Sequence, residues 1–204
     1  MYKNDIVPQK RNIHKKILKF LLFIITAIFI SIIVNNFVLE ISVVDGNSME
    51  KTLYSGERLI IFKLGYFFYN PGNKDIVVLR YKKGVNPLQS FFINKIQGKE
   101  KTADASIEID YVKRIIGSQG DSIDLKYDKV YLNNKLLVEP YAVGITTKKV
   151  LNYPIEIPEG KFFILGDNRA ASRDSRDIGL IDKREIIGKA IFRIWPLHKI
   201  GIIK

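Results

Sequence analysis

Three separate stretches of the chain carry residue types that could together hydrolyse an amide or ester bond. Ser48 stands in a Gly-Asn-Ser-Met turn, where its hydroxyl could act as a nucleophile. Lys113 lies in an apolar stretch and could act as a base if burial lowered its pKa. Residues 166–176 read Gly-Asp-Asn-Arg-Ala-Ala-Ser-Arg-Asp-Ser-Arg, with five charged groups, two hydroxyls and an amide. Because buried polar groups each need a partner, this third stretch is predicted to position the other two.

The histidines of the chain do not suit a Ser-His-Asp triad, in which histidine is the base. There are two of them. His14 precedes the long apolar segment of residues 20–39, which would separate it from Ser48 by a membrane. His198 lies close to the C-terminus, where a surface or structural role explains it better. A Ser-Lys dyad therefore remains.

Lys113 could be neutral at moderate pH only if its surroundings were apolar. If residues 111–116 form a strand, alternate residues share a face, which puts Lys113 on the side of Tyr111 and Ile115. Such neighbours would desolvate the ammonium group and lower its pKa from about 10.4. The competing interpretation is a solvated lysine on the surface of a strand.

These motifs resemble those of the bacterial type I signal peptidases, membrane-bound serine proteases that remove signal peptides from exported proteins. The family's Gly-Asp-Asn-Arg-x-x-Ser-x-Asp-Ser-Arg motif matches residues 166–176 at every specified position. Its Lys-Arg-(apolar)₂-Gly motif, followed by Gly-Asp, matches residues 113–117 and 120–121. Its Ser-Met-x-Pro-Thr-Leu motif matches residues 48–53, except that lysine stands at position 51 instead of proline. The short chain with a single anchor is more similar to the Gram-positive members.

The resemblance implies a division of roles around the dyad. Ser48 would be the acylating nucleophile and Lys113 the general base, with Ser172 donating a hydrogen bond that orients the lysine amine. The backbone N–H of Ser48 would help to hold the oxyanion. Some members add a hydroxyl two residues before the nucleophile, and Gly46 stands there in this chain. The second oxyanion donor is therefore left open.

The resemblance also implies two ion pairs that hold the third motif, Asp174 with Arg176 and Asp167 with Arg114. It assigns no chemical role to Asn168 or Arg169, and it implies no metal and no cofactor. The chain contains no cysteine, which excludes thiol catalysis and disulfide bonds. Lys51 is expected to leave the backbone after the nucleophile freer than proline would, without removing a reacting group.

The neighbours of the dyad indicate which peptides would bind. Shallow apolar pockets are expected from four residues, Val44, Leu53, Tyr111 and Val112. Small side chains such as alanine would fit these pockets, in keeping with the Ala-x-Ala preference of the family. The substrate is expected to bind as an extended strand along a sheet edge.

One hydrophobic segment precedes the chemistry. Residues 20–34 carry no charge and the segment extends to residue 39, so its ~20 residues, at ~1.5 Å each, could span a bilayer core of ~30 Å. A cleaved signal is a weaker interpretation, because no Ala-x-Ala-like site ends the segment. Residues 1–19 hold six Lys/Arg against one acid. The positive-inside rule therefore puts residues 1–19 in the cytoplasm and residues 40–204 outside.

The partners follow from the same pattern. The net charge of +12 could indicate nucleic acid, but its densest cluster adjoins the apolar segment, where topology and anionic lipid explain it better. The predicted partners are therefore the signal peptides of exported preproteins and the lipid bilayer, without nucleic acid.

Residues 40–204 are predicted to form a mainly β, antiparallel domain, either sandwich or barrel-like. Short runs of β-branched and aromatic residues alternate there with turn signals. Asn133-Asn134 is predicted as the turn of a hairpin. Residues 82–107 are predicted to be a polar surface insertion, with a strand at most over residues 88–96. The aromatic residues at 64–69 could dip into the membrane surface or belong to the core.

Two other functions stay open on the sequence. A self-cleaving Ser-Lys protease of the repressor type would need a DNA-binding segment, whereas residues 1–40 have the pattern of an anchor. A signal-peptidase-like assembly factor for surface proteins, which no longer cleaves, would tolerate Lys51 and Gly46. The intact dyad and Ser172 argue against it. The sequence therefore favours a membrane-bound serine endopeptidase.

Overall fold

The computed structural model describes residues 13–84 and 106–203, in two compact units that divide after Val38. The first unit contains helix α1 (Ile13–Ile33), which a π-helical turn, Val34–Val38, continues. Over Lys15–Ile33 the helix is long and apolar enough to cross a membrane. Its apolar side chains are exposed, which is favourable only in an apolar medium; examples are Leu18, Leu22, Ile25 and Phe29.

The second unit is built almost entirely of antiparallel strands. In chain order these are β1 (Leu39–Val43), β2 (Arg58–Phe62), β3 (Ile76–Gly84), β4 (Ser106–Ser118), β5 (Ser122–Lys126), β6 (Lys129–Leu132), β7 (Lys135–Leu136), β8 (Ile155–Glu156), β9 (Lys161–Leu165), β10 (Ile181–Asp182), β11 (Ile186–Trp195) and β12 (Gly201–Ile202). Short helical segments join them: α2 (Gly65–Phe68), α3 (Ser175–Ile178) and two 3₁₀ turns, Lys183–Glu185 and Leu197–Lys199. The predicted mainly β class is confirmed.

The strands form two sheets. Eight of them make one sheet in the order β1-β2-β11-β3-β4-β9-β10, to which β12 adds beside β11. The other four make a second sheet in the order β7-β6-β5-β8. Strand β4 lies inside the larger sheet, where it pairs with β3 along most of its length and with β9 from Arg114 to Ser118, so its backbone is well fixed.

The larger sheet is buried on both faces. Ile76 and Val78 belong to one apolar cluster, whereas Val77 and Leu79 belong to another, as the period of two along a strand requires. A third cluster joins β5 and β6 of the second sheet to β4 and β9; its members include Ile116, Ile123, Leu125, Val130, Phe163 and Leu165. Side chains on one face of β4 and β9 thus pack against the second sheet and hold the two sheets together.

The predicted hairpin at Asn133-Asn134 is confirmed. Strands β6 and β7 pair on either side of it, with φ of 52° and 62° at the two asparagines. These left-handed conformations belong to a two-residue turn that matches the twist of the strands. The Asn133 side chain also accepts a hydrogen bond from the Ser122 N–H at 2.8 Å, which fixes the turn beside β5.

Strands β3 and β4 extend into both ends of the segment predicted as a polar insertion at residues 82–107. They pair continuously from Ile76 with Arg114 to Gly84 with Ser106. The rest of that segment, including the possible strand at residues 88–96, lies outside the described residues. In the segment at residues 64–69, Tyr66 is buried, as the core interpretation predicts, whereas Phe68 and Tyr69 are exposed; their contact with the membrane surface stays a prediction.

Gly188 should be required for the close packing of β11 on β2. A Cβ at this position would lie 2.6 Å from the Phe62 carbonyl oxygen, and backbone cannot move aside as a side chain can. Gly188→Ala is therefore expected to lower the free energy of unfolding by about 1–3 kcal/mol, measured by denaturant titration. Gly201→Ala is the matched control, because a Cβ there meets open space. Equal stability of the two variants would contradict the packing described.

Candidate active site

The structure brings Ser48 and Lys113 into direct contact. Ser48 lies on the turn that follows β1, and Lys113 lies in β4. A hydrogen bond of 2.6 Å joins Lys113 Nζ to Ser48 Oγ, and the same amine donates to the Val112 carbonyl oxygen at 2.8 Å. Direct hydrogen bonding of this kind is the geometry that a nucleophile and its base require.

The turn that carries Ser48 is held by backbone bonds and by a buried anchor. The Glu50 N–H donates to the Asn47 carbonyl oxygen at 3.1 Å, and the Leu53 N–H donates to that of Met49 at 2.8 Å. The Met49 side chain is 1% exposed and packs in the core. From the third motif, the Asn168 N–H donates to the Ser48 carbonyl oxygen at 3.0 Å. The hydroxyl is therefore presented by a turn that is fixed from two sides.

Two backbone conformations explain how this turn departs from the family motif. Gly46 has φ of +84°, a left-handed conformation that strains residues with a Cβ, so glycine suits this position. Lys51 also has φ of 84°, which the ring of proline cannot adopt. The Lys51 ammonium group donates to the Pro140 carbonyl oxygen at 2.6 Å, so a side-chain contact to residue 140 stands where the family motif has proline.

Lys113 is almost completely buried, at 2% exposed. Its amine lies 5.2 Å from the centre of the Tyr111 ring, which confirms that the two residues share a face of β4. Burial lowers the pKa of Lys113 to about 8, although the carboxylates of Asp174 and Asp167 oppose the shift. The interpretation of Lys113 as a solvated surface lysine is therefore wrong.

The predicted pair of Arg114 and Asp167 is present and buried. Arg114 donates to both carboxylate oxygens of Asp167, at 2.9 and 2.7 Å, and the two side chains are 2% and 1% exposed. The Thr52 hydroxyl donates to the same carboxylate at 2.5 Å, and Arg114 also donates to the Lys74 carbonyl oxygen at 3.0 Å. This pair ties the strand of Lys113 to the turn of Ser48.

The second predicted pair, Asp174 with Arg176, is equally buried. Arg176 donates to the two carboxylate oxygens at 2.8 and 2.9 Å, and to the Arg169 carbonyl oxygen at 2.7 Å. The Gly166 N–H donates to Asp174 at 3.1 Å. Burial alone would raise the pKa of Asp174, but the hydrogen bonds and charge of Arg176 outweigh it and hold that pKa below its usual value. Asp174 therefore stays ionised although it is buried.

Ser172 lies beside the dyad without the hydrogen bond that the resemblance implies. A Cβ on Gly166 would lie 2.2 Å from Ser172 Oγ and 2.5 Å from the Ser48 carbonyl oxygen, so all three residues touch. Within the described part of the chain, this hydroxyl has no hydrogen-bond partner of normal geometry. It lies near enough to Asp174 to help lower the pKa of that carboxyl. The Lys113 amine is instead bonded to Ser48 and the Val112 carbonyl, so the expected Ser172 bond is absent.

Sequence reasoning missed two groups that contribute to the site. It assigned no role to Asn168 and Arg169, yet Asn168 bonds the Ser48 carbonyl and donates to Glu50 at 3.2 Å. Arg169 is 1% exposed and donates to the Gly166 carbonyl oxygen at 3.1 Å and to the Glu139 carboxylate. The other omission is the Glu-Pro-Tyr sequence of residues 139–141. Its only signal was an acid and an aromatic residue flanking a proline in a loop.

A small cavity of about 80 Å³ adjoins the dyad. Three of the four predicted pocket residues line it, namely Val44, Tyr111 and Val112, together with Ser48 and Lys113. The fourth, Leu53, is fully buried in the core cluster that also contains Val44. A cavity of this size suits a small side chain better than a large one.

Comparisons with known proteins agree with this geometry. The family described as "Signal peptidase, peptidase S26" matches residues 17–195. The chain belongs to this signal peptidase family. It is 35% identical over 187 residues to Signal peptidase I of Bacillus licheniformis, which covers 87% of this chain and 88% of the relative. It is also 35% identical over 201 residues to Signal peptidase IB of Staphylococcus aureus strain COL, covering 91% and 93%.

A crystal structure of a signal peptidase I from Enterococcus faecalis V583 is similar at 23% identity and a TM-score of 0.38, covering 59% of this chain and 97% of that one. Membership of the S26 family makes the chain a serine endopeptidase, and helix α1 is compatible with membrane anchoring. The repressor-type interpretation is thereby set aside.

Removing Asp174 should unfold the third motif, because it leaves the Arg176 guanidinium buried without a counter-ion. Asp174→Ala is expected to lower the free energy of unfolding by ~3–5 kcal/mol in denaturant titration. Asp110→Ala is the matched control. It breaks a pair with Arg80 in which both side chains are about 40% exposed, and such pairs contribute roughly 0–1 kcal/mol. An Asp174→Ala variant as stable as the control would show that the buried pair does not hold the motif.

Proposed function

We propose that the chain is a type I signal peptidase with Ser48 as nucleophile and Lys113 as general base. It cleaves signal peptides from exported preproteins after small residues, at Ala-x-Ala-like sites. The contact of 2.6 Å between Lys113 Nζ and Ser48 Oγ carries this proposal, because the lysine is both buried and bonded to a hydroxyl on an accessible turn. Both residues line the cavity, where they combine a nucleophile with a base.

The reaction follows from the positions of two atoms. Neutral Lys113 Nζ takes the proton of Ser48 as Oγ attacks the scissile carbonyl carbon, and a tetrahedral intermediate forms. The resulting ammonium gives its proton to the leaving amine, so the peptide bond breaks and an acyl-enzyme remains. A water molecule then attacks the ester and passes its proton to Lys113. Release of the acid restores Ser48 Oγ–H and the neutral amine.

The oxyanion is held first by the Ser48 backbone N–H. Among residues 13–84 and 106–203, this N–H has no hydrogen-bond acceptor, so it is available to the substrate. Gly46 offers no side-chain donor, and its left-handed φ disfavours any residue that would supply one. The second hydrogen bond to the oxyanion therefore comes from a backbone group or a water molecule. In other serine hydrolases, one such donor contributes ~2.7–4 kcal/mol.

The substrate lies as an extended strand between two strand edges. Among the described strands, β1 pairs only with β2, and residues 110–113 of β4 pair only with β3. Both edges border the cavity beside the dyad. An added strand would use these backbone groups for affinity and the small cavity for specificity. Val44, Tyr111 and Val112 restrict the side chain before the scissile bond to alanine or another small residue.

The bilayer is the second partner. Helix α1 provides an apolar length sufficient to cross it. The basic residues of 1–19 keep that end in the cytoplasm, which puts residues 40–204 on the outer side, where exported preproteins emerge. Signal peptides cross the same membrane, so the anchor confines the enzyme and its substrate to one membrane. Nucleic acid has no part in this arrangement.

Cleavage should depend on both members of the dyad. Ser48→Ala and Lys113→Met are each expected to reduce cleavage of a membrane-presented preprotein by at least about 10³-fold, since each removes a reacting group. Ser55→Ala and Lys129→Met are matched controls at exposed positions and should retain activity. Thermal unfolding checks that every variant is folded.

Each outcome of this experiment assigns a function. Cleavage that survives Ser48→Ala would mean that another residue is the nucleophile. If folded wild type cleaved none of several preproteins with Ala-x-Ala sites, the chain would be a non-cleaving assembly factor. A preprotein with phenylalanine before the scissile bond should resist the wild type, because the cavity of about 80 Å³ cannot hold the ring.

Activity should rise with pH through the pKa of Lys113. The base acts only when neutral, and its pKa is lowered to about 8. At pH 7 roughly a tenth of the enzyme would therefore be competent, and kcat/KM is expected to increase about tenfold to a plateau above pH 9. The measurement is kcat/KM against pH, with a substrate that does not titrate near its cleavage site. A profile that falls over this interval would exclude neutral Lys113 as the base.

A further inference from the structure

Residues 139–141, with the sequence Glu-Pro-Tyr, contact all three motifs of the site although they belong to none. The Glu139 side chain is 8% exposed and receives hydrogen bonds from both terminal nitrogens of Arg169, one of them at 2.9 Å. Arg169 in turn donates to the Gly166 carbonyl oxygen at 3.1 Å. Gly166 touches both Ser48 and Ser172. Glu139 is thus connected to Ser48 by three successive contacts, through Arg169 and Gly166.

Tyr141 supports the motif that contains Lys113. The guanidinium carbon of Arg114 lies 4.0 Å from the centre of the Tyr141 ring, within the range of a cation–π contact. The Tyr141 hydroxyl donates to the Glu139 carboxylate at 3.1 Å. Burial, and then the Glu139 carboxylate, raise the pKa of the phenol, so it stays protonated and keeps donating. The ring therefore packs against the same guanidinium group that Asp167 and the Lys74 carbonyl hold by hydrogen bonds.

Pro140, the middle residue of 139–141, accepts a hydrogen bond from the turn that carries Ser48. Its carbonyl oxygen receives the Lys51 ammonium at 2.6 Å, and Lys51 is the position at which the family motif has proline. Proline cannot adopt a φ of 84°, so a proline ring could not restrain the backbone at this position. A side-chain contact to residues 139–141 replaces that local restraint with a tertiary one.

We propose that residues 139–141 form a positioning segment, which holds the nucleophile turn, the Lys113 strand and the third motif in register for acylation. This inference rests on the proposed function of the dyad. The segment touches neither reacting atom: it acts through Arg114, Arg169 and Lys51. Loss of the segment would let the Ser48 turn and the Lys113 strand move apart. Misplacement of reacting groups by about 1 Å can reduce rates by about 10²-fold.

Because charged groups lie around Lys113, a displacement of the site would change the pKa of Lys113, which can be measured. Asp174 and Asp167 face the amine and raise its pKa against the effect of burial, and their partners Arg176 and Arg114 neutralise them. Asp45, Asp110 and the Tyr111 ring line the cavity on the other side. If Arg114 lost the support of Tyr141, Asp167 would be less neutralised and Lys113 more hydrated. Both changes raise the pKa of Lys113 and thus move the rising limb of activity to higher pH.

The test compares Tyr141→Leu, Tyr141→Phe and Glu139→Gln in the full chain, with Glu156→Gln as a matched control at an exposed position. Tyr141→Leu removes the ring that contacts Arg114, whereas Tyr141→Phe keeps it and removes only the hydroxyl. For Tyr141→Leu we expect kcat to fall by about 10–10²-fold with KM within about twofold, and the pH midpoint of kcat/KM to rise. Tyr141→Phe should recover most of the loss, and Glu139→Gln should fall between the two.

A second readout does not depend on cleavage. The pKa of Lys113 is measured by NMR with ¹³Cε-labelled lysine in detergent micelles, with the signal assigned by Lys113→Met. The inference expects a higher pKa in Tyr141→Leu and an unchanged one in Glu156→Gln. A Tyr141→Leu variant that loses activity only in proportion to its unfolded fraction, with the Lys113 titration unchanged, would overturn it. Absent cleavage by the wild type, with the titration shifted as expected, would count against the proposed function and not against the positioning segment.

Discussion

A lysine can serve as a base only where its charge is unfavourable, and the whole site is arranged around this constraint. Burial of Lys113 to 2% exposure removes the water that would stabilise its ammonium form. The two carboxylates near the amine act in the opposite direction, because each would hold a proton on it. Since each carboxylate is bound by its own buried arginine, the field at the amine stays weak enough for the neutral form to be populated near pH 8. The proposed dyad therefore depends on ion pairs that take no part in the proposed reaction.

This arrangement explains why so many charges lie in and around the third motif, residues 166–176. Three arginines, Arg114, Arg169 and Arg176, are almost fully buried, and each is paired with a carboxylate, on Asp167, Glu139 and Asp174 respectively. Burying an ion pair gains little net stability over packed apolar residues, but breaking one from one side is strongly unfavourable. Such pairs therefore specify one geometry rather than add stability. Near a dyad whose reactivity depends on a contact of 2.6 Å, a single geometry is what catalysis needs.

The parts of the structure that the sequence predicted are those that depend on local pattern or on the family motifs. The antiparallel β class and the Asn133-Asn134 turn follow from alternation and turn residues, and both ion pairs follow from the resemblance of the second and third motifs to the family. The contacts that the sequence did not predict all come from tertiary neighbours. The role of residues 139–141 depends on Arg114 and Arg169, which lie far away along the chain. The left-handed φ of Lys51 and the missing bond of Ser172 likewise arise from packing around the turn, which no residue type encodes by itself.

The chemical difference between lysine and histidine accounts for the extent of this support. A histidine base has two ring nitrogens, so a carboxylate can hold one while the other reacts, and a single hydrogen bond fixes the ring. The lysine amine is one atom at the end of a flexible four-carbon stem, and any group that binds it also changes its basicity. Its position must then come from packing along the stem and from neutral acceptors, here the Val112 carbonyl oxygen and the Tyr111 face. Charged groups can contribute only from a distance and only in neutralised pairs. That requirement favours strand β4, paired with β3, over a loop as the place for the proposed base, and it is matched by a Ser48 turn that is itself fixed from two sides.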